Sequence, residues 1–361
     1  MEIPTYLEDI SPEWIRKTLS STGLYVPITA IQREQLTIEG QGFTGQIARF
    51  QLLYDTPAAD AADSIVIKMP NPNPQTRNPV IFQREVNFYQ NLAQLSTIRI
   101  PRCYYSAFDE QTGNSVLLLE DFQEGSTGNM LEGCTAKVAE RAIEEIAPFH
   151  AAWWDNPALD SVGGFTVYPL LDTPAALGSW RQNMNDSWHS FSRQFPELIT
   201  APIREAWPLL VQHGDEIRRQ ALTPPLTLCH GDYHLDNLFF TAADNRSLVV
   251  LDWQAIRLMP GALDLSYFMI WNLEPDLRRS VELNLLKKYC AALKRHGVER
   301  YDLDQCYRDY RIALYELILP RLIIVNALND TSSKQAQALV AAMATRTSEA
   351  MIDHPITDLL Q

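Results

Sequence analysis

Cysteine is sparse and unpatterned in this chain. Five cysteines, at positions 103, 134, 229, 290 and 306, are spread over 361 residues. Their number is odd and no two have C-x-x-C spacing. That argues against a disulfide framework or a zinc ribbon and fits a reducing, cytoplasmic setting. Long apolar runs are also missing. The most apolar stretch, Ile312 to Leu328, is interrupted by Glu316, Pro320 and Arg321 and falls short of a membrane span. The N-terminus, MEIPTYLEDISPEW, has acidic residues early and no apolar h-region, so no signal peptide is expected. No internal repeat of solenoid period occurs. Basic residues are outnumbered, 30 Lys and Arg against 44 Asp and Glu, for a net charge of −14. Nucleic acid and anionic membranes both call for positive surface, so neither is an expected partner.

What is present reads as an ordinary folded chain. Hydrophobic residues make up 46% and charged residues 20%, and the length suits about two domains. The first hundred residues are β-rich. Gln46 to Tyr54 alternates, with Ala48, Phe50, Leu52 and Tyr54 on one face, and Ser64 to Met69 is a short strand-like run. Asn78-Pro79 reads as an N-cap followed by proline at the first helical position, opening a helix to about Leu95. Val116 to Leu119 is a further strand, and EGSTGN after Asp121 reads as a linker. From Thr135 onward helical patterns dominate, except for a hairpin formed by 238–240 and 248–251. The expected fold is therefore α+β. A β-rich N-terminal lobe, 1–121, carries one notable helix, and a larger, mostly helical lobe spans 122–361.

Five constellations carry possible chemistry. Gly40-Gln-Gly42-Phe-Thr-Gly45 has G-x-G-x-x-G spacing, but a strand follows it. A dinucleotide site needs a helix there. Strand–loop–strand matches a glycine loop over ATP phosphates, or simply a tight hairpin. Lys68 interrupts the apolar strand SIVIKM, where a buried ammonium needs a partner; at an edge strand it would instead reach water. Glu85 shares one helical face with Ile81, Phe88, Leu92 and Leu95. An unpaired carboxylate is misplaced on that stripe, and Lys68 is the nearest embedded cation. The fourth constellation, Cys229-His-Gly-Asp232-Tyr-His-Leu-Asp-Asn237, is the densest. It fits either a transition metal on His230 and His234, or phosphoryl transfer, with Asp232 accepting a hydroxyl proton and Asn237 holding Mg²⁺. Last, Asp252 ends the apolar run VVLD one hairpin later and offers a second hard oxygen ligand, or caps a turn.

In that order these segments resemble the kinase-like phosphotransferases of the aminoglycoside phosphotransferase and choline kinase superfamily. HGDYHLDNLFF followed by VVLDWQ is the most specific part. Together with GQGFTG, VIKMP, REVNFY, LLLEDF and FHAAWW, it looks most like the ecdysteroid kinase-like branch, over about residues 36 to 270. The resemblance implies a bilobal protein-kinase-like fold and an ATP- and Mg²⁺-dependent small-molecule kinase. It makes Gly40, Gly42 and Gly45 the phosphate loop, and Lys68, held by Glu85, the contact to the α/β-phosphates. Glu120 falls at the hinge beside adenine, Asp232 is the catalytic base, and Asn237 and Asp252 are the metal ligands. His150, His230 and Asp264 become loop or helix anchors, while His234 and Asp236 either line the substrate mouth or bond locally. A nucleotide-binding pseudokinase or regulatory module would require loss of one of these elements.

No A-P-E motif follows Asp252, which disfavours protein substrates. The expected acceptor is a small hydroxylated molecule. The net charge would suit a cation such as an aminoglycoside or choline, whereas the branch resemblance points to a hydrophobic polyol or sterol-like alcohol. The stretch 155–225 carries Arg181, Arg193, Arg204, Arg218 and Arg219 among its acids, which favours a non-cationic metabolite.

Overall fold

The computed structural model describes residues 2–23, 27–36, 45–55, 62–73, 78–160, 173–241, 248–328 and 333–360. The chain divides into two units, Met1–Gly125 with Val249–Ala255, and Ser126–Leu248 with Ile256–Gln361.

The first unit is built on one antiparallel sheet of five strands: β1 (Ile28–Gln35), β2 (Gly45–Tyr54), β3 (Ser64–Pro70), β4 (Cys103–Phe108) and β5 (Ser115–Glu120), in the order β1-β2-β3-β5-β4. Alternation along β2 buries Ala48, Phe50 and Leu52 against helix α1 and its surroundings, where Ile15 and Leu19 of α1 (Pro12–Ser21) join the same core. The middle strand is β3. Lys68 faces Ile47 on β2 and Leu117 on β5, so it is not an edge residue.

Helix α2 (Pro79–Asn91) starts as the sequence indicates, with Asn78 Oδ1 accepting from Val80 N at 3.2 Å and Pro79 at the first turn. It stops earlier than expected. Leu92 is buried with non-helical torsions (φ −120°, ψ −28°), and Ala93–Leu95 form a separate 3₁₀ turn that leaves Leu95 61% exposed. Leu95 therefore leaves the apolar face it was assigned to. Helix α2 packs on β4, β5 and the turn at Trp253–Ala255. The Trp253 ring stacks on Phe88 at 4.2 Å, a contact worth roughly 1 kcal/mol beyond its burial. Val250 N donates to Arg99 O at 2.9 Å, which fixes the same segment.

The second unit is mostly helical. Its elements are β6 (Ser126–Thr127), α3 (Ala136–Ala152), α4 (Pro174–Gln194), α5 (Ala201–Ala221), β7 (Thr227–Cys229), β8 (Leu238–Phe240), β9 (Leu248–Val250, whose last two residues belong to the first unit), β10 (Arg257–Met259), α6 (Ala262–Asn272), α7 (Pro275–Arg295), α8 (Leu303–Ala313), α9 (Leu319–Leu328) and α10 (Lys334–Asp353). The EGSTGN stretch is not only a linker. Its Ser126 and Thr127 pair with Phe240 and Phe239 of β8.

Helix α6 is the centre of this unit. Its sequence, ALDLSYFMIWN, has one charge and apolar residues all round, and every residue is buried, as such a helix must be. Between α8 and α9, Leu314–Ile318 form a π-helical turn in which Leu319 N bonds Leu314 O. Pro320 follows directly. Proline has no N–H and its ring clashes with the carbonyl four residues back, so a wider turn is the local solution. Within that turn Glu316 is buried against Arg218 at 2.8 Å.

Candidate active site

In the first unit, three residues singled out from the sequence come together. Lys68 Nζ lies 2.9 Å from Glu85 and 2.9 Å from Asp252 Oδ1. Glu85 is 1% exposed, so a charge there needs a partner, and the Lys68 ammonium lies beside it. Burial works against the charged Lys68, but Asp252 and then Glu85 outweigh it and raise its pKa. Two carboxylates thus share one cation. The more buried of them, Glu85, is pushed upward by burial and by Asp252, against the pull of Lys68. Asp252 sits in the left-handed region (φ +59°) at the end of its apolar run. Aspartate enters that region more readily than most residues because its short side chain can bond the local backbone, and Gln254 N donates to Asp252 Oδ1 at 3.4 Å.

Gly45, the third glycine of the loop motif, opens β2. A Cβ there would collide with the carbonyl oxygen of Met69, so glycine is required for the strands to approach. Gly40 and Gly42 lie outside the described residues. Glu120 ends β5 opposite Ile65, and its Oε2 accepts from Arg102 N at 3.1 Å.

In the second unit, the loop 230–237 leaves β7 and is tied down at both ends by α6. Asp264, in the first turn of α6, accepts from His230 N at 2.6 Å, Gly231 N at 2.8 Å and His150 Nε2 at 3.1 Å. Asn272, at the last turn, accepts from Leu235 N at 3.0 Å. Tyr233 is fully buried and donates to Ala142 O at 2.8 Å. Gly231 has φ +76°, which other residues adopt only with strain, and it turns the chain so that Asp232 leaves the core. Asp236 accepts from Met130 N at 2.9 Å, which ties the loop to the segment before α3. Asn237 Nδ2 donates to Asp232 O at 2.9 Å and lies 3.3 Å from His234 Nε2.

Asp232 has a partner that the sequence reading missed. Arg321 Nη2, from α9, lies 2.7 Å from Asp232 Oδ1, and Arg321 Nη1 donates to Gly231 O at 3.3 Å. The guanidinium also lies over the Tyr267 ring, 5.1 Å from its centroid. His234 Nε2 is 3.4 Å from the same Oδ1. Burial works to raise the Asp232 carboxyl, but Arg321 and then His234 outweigh it and hold it well below the usual carboxylate range. Burial likewise opposes the charged His234, and Asp232 with Asp236 reverse that and raise it. The available signal was an arginine beside a proline in an otherwise apolar helix, since a cation placed there needs a partner.

The zinc alternative does not assemble. Among the described residues, the group close enough to share a metal is His150, Cys229 and Asp264, not His230 with His234. Those atoms are already committed, with Asp264 on the loop amides and His150 Nδ1 on Tyr289 OH at 2.7 Å. Among the described residues no helix is long and apolar enough to cross a membrane.

Comparison with known proteins bears on the fold and the family. A curated relative, an uncharacterized kinase-like protein of Caenorhabditis elegans, is 24% identical over 238 residues, which cover 63% of this chain and 61% of the relative. The match thus spans less than two thirds of that relative's length. Among solved structures, choline kinase from Cryptosporidium parvum superposes with a TM-score of 0.59 at 12% identity, covering 91% of this chain and 92% of that one. The GDP complex of aminoglycoside 2'-phosphotransferase-IIIa superposes with a TM-score of 0.56 at 14% identity, covering 94% and 99%. At such identities the likeness is one of fold, the bilobal α+β architecture of kinase-like phosphotransferases. Residues 39–299 match the ecdysteroid kinase-like family over most of the chain, and the protein belongs to that family.

Proposed function

We propose that the protein is a small-molecule kinase that moves the γ-phosphoryl group of ATP, with Mg²⁺, onto a hydroxyl of a small acceptor. The observation that carries this reading is the Lys68–Glu85–Asp252 cluster, one ammonium held between two carboxylates on the middle strand of the sheet. Such a cation is placed to meet phosphate oxygens, and Glu85 fixes its position. Gly40, Gly42 and Gly45 would form the phosphate loop, and Glu120 would stand at the hinge beside adenine. Asn237 and Asp252 would hold Mg²⁺. The donor chemistry fits, because a carboxylate and an amide oxygen suit a hard cation, and the Asn237 nitrogen is already spent on the backbone. Bound Mg·ATP would supply the phosphoryl group and the neutralising charge.

Asp232 would receive the acceptor hydroxyl. A carboxylate kept this acidic by Arg321 is a weak base, so its main part is to orient the hydroxyl. The proton follows onto it late, as the bond to phosphorus forms and the bond to ADP breaks. Rate enhancement then comes chiefly from positioning and fixed charge. Lys68, Glu85, Asp232, Asn237 and Asp252 are all present, which favours turnover over a silent nucleotide-binding module.

The test is Mg·ATP consumption with pooled acceptors (aminoglycosides, choline and ethanolamine analogues, sterols and sugar alcohols), with products read by mass spectrometry. A product heavier by one phosphoryl group is expected. Asp232→Ala should abolish transfer while leaving nucleotide binding nearly intact, and wild-type turnover by that variant would sink the assignment. Asp252→Ala should abolish Mg²⁺-dependent ATP binding, so an unchanged affinity across a Mg²⁺ titration would count against its role.

A further inference from the structure

Arg321 stands where an acceptor would meet Asp232, and nothing in the reaction as outlined requires it. The same helical run already contains a structural ion pair. Glu316 and Arg218, at 2.8 Å, are nearly buried, with side chains 4% and 11% exposed. Arg321 and Asp232 are different, at 22% and 21%. Both are accessible, so a molecule that reaches the carboxylate also reaches the guanidinium. Arg321 is held there from three sides by Gly231 O, Asp232 Oδ1 and the Tyr267 ring. His234, from the loop itself, completes the charged groups around the carboxylate, with Asp236 behind it at 3.8 Å. Asp236 is spent on Met130 N, and the buried Arg257 also donates to Gly231 O, at 3.3 Å, so among the described residues Arg321 is the guanidinium that pairs with Asp232 itself.

A guanidinium is a donor only, with five N–H groups and no acceptor. An acceptor whose hydroxyl bonds Asp232 brings its neighbouring atoms against that donor. An oxygen in that place is matched. An ammonium is mismatched twice, as a like charge and as a donor facing a donor. We infer that Arg321 is a specificity-determining residue of the acceptor site. It favours acceptors with a hydrogen-bond-accepting oxygen beside the reacting hydroxyl, as in a vicinal diol or a hydroxy acid, and disfavours those with an ammonium there. The inference rests on the phosphotransferase reading of Asp232, but its test does not depend on turnover.

The full chain, as wild type, Arg321→Met and Arg321→Lys, is titrated calorimetrically at pH 7 with Mg·ADP present. The probes are matched pairs: trans-cyclohexane-1,2-diol against trans-2-aminocyclohexanol, and a steroid vicinal diol against the amino alcohol of the same skeleton. Wild type should bind the diol of at least one pair about tenfold more tightly than its amine, the scale of a like-charge contact at an accessible site. Arg321→Met should erase or reverse that preference, and Arg321→Lys should keep it. If Arg321→Met fails to fold by its melting temperature, Arg321→Gln carries the same comparison. The inference is overturned if wild type binds the amines as well as the diols, if it binds neither diol, or if Arg321→Met leaves the ratio unchanged. Failure of the phosphotransferase reading would look different: an intact diol preference with no phosphorylated product from any acceptor pool.

Discussion

Asp264 gives the sharpest test of how the loop 230–237 is held. It is fully buried and accepts three hydrogen bonds, from His230 N, Gly231 N and His150 Nε2. Asp264→Ala strips all three donors at once in a place water does not reach. Each buried donor left without a partner costs about 1–3 kcal/mol. Three donors give roughly 3–9 kcal/mol before relaxation, and some movement of the loop toward other acceptors brings the expectation to about 4 kcal/mol. That is a large part of a typical domain's stability of about 5–15 kcal/mol. Asp264→Asn keeps the volume and one accepting oxygen but turns an NH₂ group toward N–H donors, so it should fall between wild type and alanine. The assay is urea unfolding of the full chain, with Mg·ATP turnover measured on the same samples. Turnover should fall steeply in both variants even where the chain is still folded, because Gly231 and Asp232 lose their anchor. The reasoning fails if Asp264→Ala unfolds within about 1 kcal/mol of wild type, since stripped buried amides should cost more than that.

Two other substitutions test the buried charges. Lys68→Met should destabilise the chain by about 3–5 kcal/mol by leaving Glu85 without its ammonium, and Lys68→Met with Glu85→Gln should recover more than half of that in urea unfolding; a double variant no more stable than the single would contradict the pairing. Asp309, buried beside Tyr301 OH at 2.9 Å, has its pKa raised by burial to about 6. A carboxyl raised in the folded state favours folding at low pH, and that contribution is lost as pH climbs from about 4 to about 6, a change of about 3 kcal/mol. Asp309→Asn should therefore stabilise the protein by about 2 kcal/mol at pH 8 and by almost nothing at pH 4, and a gain that is equal at both pH values would refute the argument.

Much of the first unit could be read locally. Alternation found β2, the Asn78-Pro79 pair located the start of α2, and a carboxylate on an apolar stripe announced that Glu85 needed a cation. Each of these signals is carried by a short stretch of chain. What the sequence could not display were partnerships across long stretches of chain. Asp252 reaches Lys68 from 184 residues away, and Arg321 reaches Asp232 from 89 away. In the sequence Arg321 shows only as an interruption of an apolar run, with its partner 89 residues earlier. The end of α2 was misjudged for a different reason. Periodicity treats a helix as continuing while apolar residues recur, yet Leu92 is buried through a break in the helix, not through its continuation. The pairing of Ser126 and Thr127 was hidden because two residues are too few to show a period.

The return of Val249–Ala255 to the first unit bears on synthesis at the ribosome. About 130 residues separate Gly125 from Ala255, and at roughly 5–20 residues per second the first unit waits some 7–26 s for its last piece. During that interval Phe88 lacks the Trp253 ring that covers it, and Lys68 has Glu85 but not Asp252. A nascent chain paused in the intervening stretch would thus present an uncovered helix face, the kind of surface that chaperones engage. A fragment ending at residue 125 would stay in that state permanently, so the first unit becomes complete only after most of the chain has been made.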